Sequence, residues 1–321
     1  MNGIYFPGLG IFFNNVPSGF SLFGVEIKFY GILIALGFMF AYIISAKEAK
    51  RTGQNEEVYL DLLLALVIPS ILGARIYYIL FNSDDFISEG MSFLEVVKGM
   101  INLRNGGLGI YGGLMAGVIT IFVFGKIKKV SPLLILDTIT MGILFGQIMG
   151  RWGNFFNREA FGAFSNGITR MAIPIDHYSN SFLTYLTRSN IITEEMMSHQ
   201  EVVKGFSCIT VHPTFIYEGI WNVGVLIFIF LFRKKKTFDG QIFTIYMLLY
   251  GIGRFFIEAL RADSLMIGPL KISQVVAATC VVFAIFILLK NKQAKPVSSK
   301  SEKNELEKNG VAKNEVEQSG E

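Results

Sequence analysis

A chain of 321 residues that is 52% hydrophobic and only 17% charged lacks the polar surface of a soluble domain of its size. Its apolar residues fall in long blocks, the pattern of a membrane protein, so the position of the charges says more than the formal net charge of +4. Two cysteines, Cys208 and Cys280, exclude a disulfide framework, and three histidines without ligand spacing argue against a bound metal.

Taken in order, the chain opens with MNGIYFPGLGIFFNNVPSGF, which has no basic flank before its apolar residues. It reads as a poor signal peptide that stays on the protein. Seven blocks then reach the length of about 20 residues that a helical span needs: 27–46, 60–81, 107–125, 133–150, 214–232, 240–259 and 271–290. The second and sixth are the least clean, because they carry Arg75 and Arg254. Lys47, Lys50 and Arg51 follow the first span, Lys126, Lys128 and Lys129 the third, and Arg233 to Lys236 the fifth. Cytoplasmic loops collect Lys and Arg. These three connections therefore read as internal, whereas the one with Asp84, Asp85 and Glu89 reads as external.

The expected fold is an all-α integral membrane protein with seven spans, its N-terminus outside and its C-terminus inside. Residues 1–150 hold an external N-terminal segment and spans one to four, and 151–213 form a small extracytoplasmic head. Residues 214–290 hold spans five to seven, and 291–321 form a polar cytoplasmic tail too poor in apolar residues to bury a core.

Several residues fit poorly with lipid. Gly142, Gly146 and Gly150 form a bare stripe on the fourth span, which ordinary helix packing explains. Next come Arg151, Asn154, Asn157, Arg158 and Glu159, interleaved with Trp152, Phe155 and Phe156. An interfacial belt accounts for the aromatics and for a snorkelling arginine, but poorly for two asparagines and a glutamate, which need partners when buried. In the sixth span Tyr250, Arg254, Glu258 and Arg261 recur at helical spacing on one face. A charge in a span costs at least about 2.5 kcal/mol, and the Arg–Glu pair leaves one arginine over, which calls for an anion. HPTFIYEG (His212 to Gly219) opens the fifth span with Tyr217 and Glu218, the latter hard to dismiss at that depth. RNGGLGIYGG (Arg104 to Gly113) opens the third; its glycines suit close packing or an anion at a helix N-terminus. The topology gathers all four stretches on the outer side. Arginine forks among apolar helices suit a phosphate joined to acyl chains.

GRWGNFFNREAFG (Gly150 to Gly162) resembles the signature of the prolipoprotein diacylglyceryl transferase family, Gly-Arg-x-Gly-Asn-Phe-x-Asn-x-Glu-x-x-Gly, at every fixed position. YGIGRFFIEALRADSL, HPTFIYE, NGGLGIYGGL and KFYGILIALG are similar to the family in the same order, so the likeness covers about residues 20 to 290. The resemblance implies transfer of the sn-1,2-diacylglyceryl group from phosphatidylglycerol to the lipobox cysteine thiol of a preprolipoprotein signal peptide. A thioether forms and glycerol phosphate leaves. It implies a multi-pass enzyme of the bacterial plasma (inner) membrane, with no nucleotide, metal or organic cofactor and no nucleic-acid partner.

The resemblance also implies that Arg151 and Arg254 hold the headgroup, that Asn154, Glu159 and Gly162 serve activity, and that Tyr30, Tyr250, Glu258 and Arg261 surround the site. Some members carry a histidine, proposed as a base, where this chain has Tyr111, whose phenol is a poor base with a pKa near 10. Tyr111 then reads as an interfacial aromatic or a donor to the headgroup. A cysteine thiol, with a pKa near 8.5, already supplies a little thiolate at neutral pH. Arg151 and Arg254 are therefore expected to dominate by stabilising the departing phosphate, with Glu159 and Glu258 orienting arginines rather than taking protons. Two rival readings use the same residues: a lipid or anion transporter with an outward phosphate site, and a non-catalytic membrane assembly factor.

Overall fold

The computed structural model describes residues 2–87, 92–102 and 106–292. Glu89, Arg104 and almost all of the expected polar tail lie outside the described residues. The long apolar blocks become helices, as they must where no water can satisfy a free backbone. Among the described residues, seven are long and apolar enough to cross a membrane: α1 (Phe29–Arg51), α2 (Glu57–Phe81), α4 (Ile110–Lys128), α5 (Pro132–Asn157), α8 (Thr214–Phe232), α9 (Gln241–Leu260) and α10 (Ile272–Lys290). Three shorter helices accompany them among the described residues, α3 (Phe93–Ile101), α6 (Asn180–Arg188) and α7 (Glu194–Ser198).

The largest boundary shift concerns α5. The sequence places the end of the fourth span at 150, but the helix continues to Asn157, so Arg151, Asn154 and Asn157 stand on a helix rather than in a loop. The helix ends where Arg158 and Ala160 take left-handed backbone angles, φ 53° and 56°.

The protein is not wholly α. Strands β1 (Ile4–Phe6), β2 (Ile11–Phe13), β5 (Met171–Pro174), β6 (Glu201–Val203) and β7 (Phe206–Val211) form one antiparallel sheet in the order β2-β1-β5-β7-β6. Two further hairpins, β3–β4 (Gly19–Leu22, Val25–Lys28) and β8–β9 (Met266–Ile267, Leu270–Lys271), lead into α1 and α10. Strands this short show little alternation, and the pairing of Tyr5 with Ala172 joins segments far apart in sequence. Ile4, Phe6, Met171, Ile173, Ile209 and Val211 pack with Phe155, Phe161 and Phe215 in a buried core. Arg158, 1% exposed, is spent here: it donates to the carbonyls of Asn2, Val16 and Phe156, pinning the N-terminal segment to the end of α5.

The chain divides into two units. Among the described residues, one comprises residues 2–43 and 140–292, and the other Ile44–Ile139. In the second unit the glycine run of α4 packs on α2. A Cβ on Gly112 would lie 2.2 Å from the carbonyl oxygen of Gly73. The arginine that made the second span unclean is consumed nearby. Arg75, 6% exposed, donates to the carbonyls of Gly99, Met100, Asn102, Gly106 and Gly107 at 2.6–3.0 Å.

Candidate active site

In the first unit, a carboxylate organises the charges. Glu218, in the first turns of α8, is 1% exposed. One of its oxygens accepts from Arg151 of α5 and, at 3.3 Å, from the Tyr250 hydroxyl of α9. The other accepts from Arg254 Nη1 at 2.9 Å. An isolated carboxylate in an apolar helix would be very costly. Two guanidiniums and a phenol remove most of that cost, and in return Glu218 fixes both arginines. Glu258, also 1% exposed and one turn beyond Arg254, forms an ion pair with Arg254 Nη2 at 2.6 Å. Arg254 is thus held between two carboxylates while its side chain keeps 17% of its exposure, and Arg151 keeps 20%.

Close approach of α8 and α9 makes this possible. The Trp221 indole lies against Gly253, where a Cβ would meet Nε1 at 2.2 Å, and donates to the Leu249 carbonyl at 2.9 Å. Glycine at 253 is therefore a packing requirement for the Arg–Glu layer.

The end of α5 extends the network. Arg151 Nη1 points at Asn154 Oδ1 at 3.5 Å, and Asn154 and Asn157 donate to the exposed Glu159 carboxylate at 3.0 and 3.2 Å. Arg151 is therefore paired with Glu218, and its link to Glu159 runs through an amide. Gly162 donates its N–H to the His212 carbonyl at 2.7 Å and bridges to Arg261. A Cβ there would sit 2.5 Å from the Leu260 carbonyl oxygen. The signature glycine thus closes the turn after α5 against the end of α9. The Tyr30 ring occupies the space a Cβ on Gly153 would fill, at 2.5 Å.

At the end of α9 the structure corrects a sequence-based expectation. Arg261 lies just past the helix in an extended conformation, and its fork is taken by Asp263 at 2.9 and 2.7 Å, with Glu258 at 3.9 Å. A spare guanidinium on the Tyr250–Arg254–Glu258 face is not what the fold provides, because the chain turns and brings its own aspartate. Lys271 caps α9 through the carbonyls of Glu258, Ala259 and Arg261 at 2.8–3.1 Å. Burial there lowers its pKa, and Glu258 and Asp263 oppose that shift.

Residues 17–290 match the family model described as prolipoprotein diacylglyceryl transferase. The chain belongs to the prolipoprotein diacylglyceryl transferase family. It is 38% identical over 277 residues to the phosphatidylglycerol–prolipoprotein diacylglyceryl transferase of Clostridioides difficile strain 630, covering 85% of this chain and 96% of the relative. A protein of the same name from Finegoldia magna is 38% identical over 275 residues, 85% of this chain and 95% of the relative. The corresponding Clostridium novyi protein is 35% identical over 275 residues, 86% and 95%.

Among the residues that the transferase resemblance singled out, Arg151, Asn154, Glu159, Gly162, Tyr30, Tyr250, Arg254, Glu258 and Arg261 all lie in the first unit. Hydrogen bonds and ion pairs join Arg151, Tyr250, Arg254 and Glu258 around Glu218, directly or through one partner. Tyr111 belongs to the other unit, where its ring lies 6.3 Å from that of Tyr77. The sequence flagged Glu218 as unusual but assigned it no role. Its depth in an apolar helix was the available signal; that it bridges two other helices was not readable.

Three further features bear on the chemistry. A crevice of about 170 Å³ with an apolar lining lies between α5 and α8, and Ile148, Trp152, Phe215, Ile216 and Ile220 line it beside Arg151. Cys208 is fully buried on β7, its thiol donates to the Phe206 carbonyl at 3.4 Å, and burial pushes its pKa up to about 11. That thiol is shielded from reaction. His212, just before α8, contacts the Tyr217 hydroxyl at 3.5 Å, and burial lowers its pKa, which favours the neutral ring.

Proposed function

We propose that this protein transfers the sn-1,2-diacylglyceryl group of phosphatidylglycerol to the lipobox cysteine of a preprolipoprotein signal peptide, in the bacterial plasma membrane. The N-terminus, the sheet-bearing head and the Arg–Glu layer lie on the outer side, and the C-terminus lies inside. The observation that carries this reading is the sharing of Glu218 by Arg151 and Arg254. Each guanidinium has five N–H donors, and the carboxylates take part of them, so donors remain for phosphate oxygens. The apolar crevice beside Arg151 offers room for part of an acyl chain.

The reaction is a displacement at carbon. The peptide's thiolate sulfur attacks the glyceryl carbon bonded to the phosphate oxygen. A C–S bond forms, the C–O bond breaks with its electron pair on oxygen, and glycerol phosphate departs carrying the negative charge. The thiol proton is released to solvent or to the leaving phosphate. Arg151 and Arg254 act where charge develops, on the departing oxygen, and their carboxylates hold them in place beforehand so that no reorganisation is needed at the moment of reaction. Glu218 and Glu258, each ion-paired to arginine, serve as positioning groups. Tyr111 is assigned no proton-transfer role.

The transporter reading is not favoured, because the relatives are named as transferases. One assay separates the readings: purified protein, phosphatidylglycerol and a cysteine-containing lipobox peptide, analysed by mass. A diacylglyceryl increment on the thiol is expected. Lipid or anion movement with no modified peptide would overturn the proposal. Labelling of single cysteines placed beside Arg151 and Arg261 from outside intact cells tests the orientation.

A further inference from the structure

The Arg–Glu layer has a neighbour that the mechanism above does not use. One helical turn away from Arg151 on α5 stands Gln147, one turn from Glu218 on α8 stands Asn222, and one turn from Tyr250 on α9 stands Tyr246. Helix direction brings these three to a common level. The α8 and α9 contacts run antiparallel: Glu218 meets Arg254, and Trp221 meets Leu249. Gln147 Nε2 donates to the Tyr246 hydroxyl at 2.8 Å, which ties α5 to α9 at that level. The Tyr246 ring stacks on Tyr250, centroids 5.5 Å apart.

Beyond that bond, the polar groups of this second layer are not matched by protein among the described residues. Asn222 is 0% exposed, and neither its Nδ2 nor its Oδ1 has a partner among the described residues. Gln147 Oε1 is likewise buried and without a partner there. Tyr246 accepts from Gln147, so its own hydroxyl hydrogen remains to be donated. Two acceptors and two kinds of donor thus stand at one level of α5, α8 and α9. Buried amides are nearly always satisfied, and a buried water typically makes two to four hydrogen bonds to such groups. One water that accepts from Asn222 Nδ2 and Tyr246 O–H and donates to Gln147 Oε1, together with a second that donates to Asn222 Oδ1, satisfies all of them, and each keeps one hydrogen to donate elsewhere.

We propose that Gln147, Asn222 and Tyr246 hold ordered water one turn inside the Arg–Glu layer, and that Asn222 is, through that water, a positioning residue for Glu218. This rests on the reading of the Arg–Glu layer as the transfer site. Glu218 accepts from Arg151, Tyr250 and Arg254, which leaves its carboxylate one further acceptor direction for a donor from the water layer. Three side chains hold Glu218 from its own level, and the water layer supports it from the next.

The test compares Asn222→Leu with Asn222→Ser in the purified full-length protein, using phosphatidylglycerol and a lipobox peptide. Leucine matches asparagine in size and removes the unpaired amide, so Asn222→Leu is expected to melt no lower than the wild type. Its kcat is expected to fall about tenfold, with the KM for phosphatidylglycerol within about twofold. Serine keeps a hydroxyl and leaves room for more water, so Asn222→Ser is expected to recover most of the lost kcat. A merely structural role predicts the reverse rank, with the better-packed leucine the more active. Gln147→Leu is expected to show the same split of kcat from KM, and it decides the matter with Asn222→Ser if Asn222→Leu does not fold. A wild-type kcat in the leucine variants, a serine variant no better than Asn222→Leu, or a loss of kcat in step with melting temperature would each overturn the proposal. A wild-type protein that modifies no peptide is a different result, and it overturns the functional reading instead.

Discussion

Arg75 and Arg254 both stand in helices long and apolar enough to cross a membrane, yet the protein satisfies them in opposite ways. Arg75 makes five bonds to five backbone carbonyls and is 6% exposed, so the donors of its guanidinium are used up. Arg254 is held by the carboxylates of Glu218 and Glu258 and keeps 17% of its side chain exposed. Carbonyls saturate a guanidinium and lock the loop that supplies them. Carboxylates orient it while leaving donors for an incoming anion. Arg158, wrapped by the carbonyls of Asn2, Val16 and Phe156, sides with Arg75 although it stands within the signature.

The sharpest way to break this comparison is to change each arginine to lysine. Arg254→Lys keeps the charge and loses the fork, and transfer to the lipobox peptide should drop by about 10²–10³-fold while the protein still inserts and folds. Near wild-type transfer would contradict the assignment. Arg75→Lys should do the reverse. A single ammonium cannot serve five carbonyls, so the loss should appear in thermal or denaturant melts, on the order of 3 kcal/mol, with activity per folded molecule little changed. Glu218→Gln preserves shape but removes the charge both site arginines share, and about a thirtyfold fall in kcat, near 2 kcal/mol, is expected. Gly162→Ala pushes a methyl group toward the Leu260 carbonyl and should cost about 1–2 kcal/mol in the same melts, with activity falling alongside.

The smallest effect concerns Cys208. Its folded pKa is raised to about 11. The unfolded thiol ionises near 8.5, so the contribution of Cys208 to stability is complete below that pH and declines as pH rises toward about 11. A Cys208→Ala variant should lack that part of the alkaline decline. Maleimide should spare Cys208 in the native protein, and rapid native labelling would contradict its burial.

Much of this was legible in the chain. The seven spans needed only apolar length, and their observed ends fall within a few residues of the expected ones except at α5, which runs through its signature to Asn157. Asn and Arg at a helix end are compatible with helix and with loop alike, so local pattern could not place that boundary. The sheet was hidden because β1 and β2 are three residues each and β1 reaches the rest of the sheet by pairing with the distant strand β5. The motifs drew attention to Arg151, Arg254, Glu159 and Glu258, and the i,i+4 spacing gave the Arg254–Glu258 pair, but the partners of the other arginines were not readable. Arg261 finds Asp263 two residues on, and Arg151 finds Glu218 rather than the nearby Glu159.

By itself the sequence determined that this protein lies in a membrane, which segments are long enough to cross it, and which charged residues required an explanation. Those conclusions follow from composition and spacing, which lipid constrains strongly. Tertiary structure decided which partner each charge received. A guanidinium's role depends on whether carbonyls or carboxylates surround it, and these come from helices and loops whose meeting no local pattern encodes.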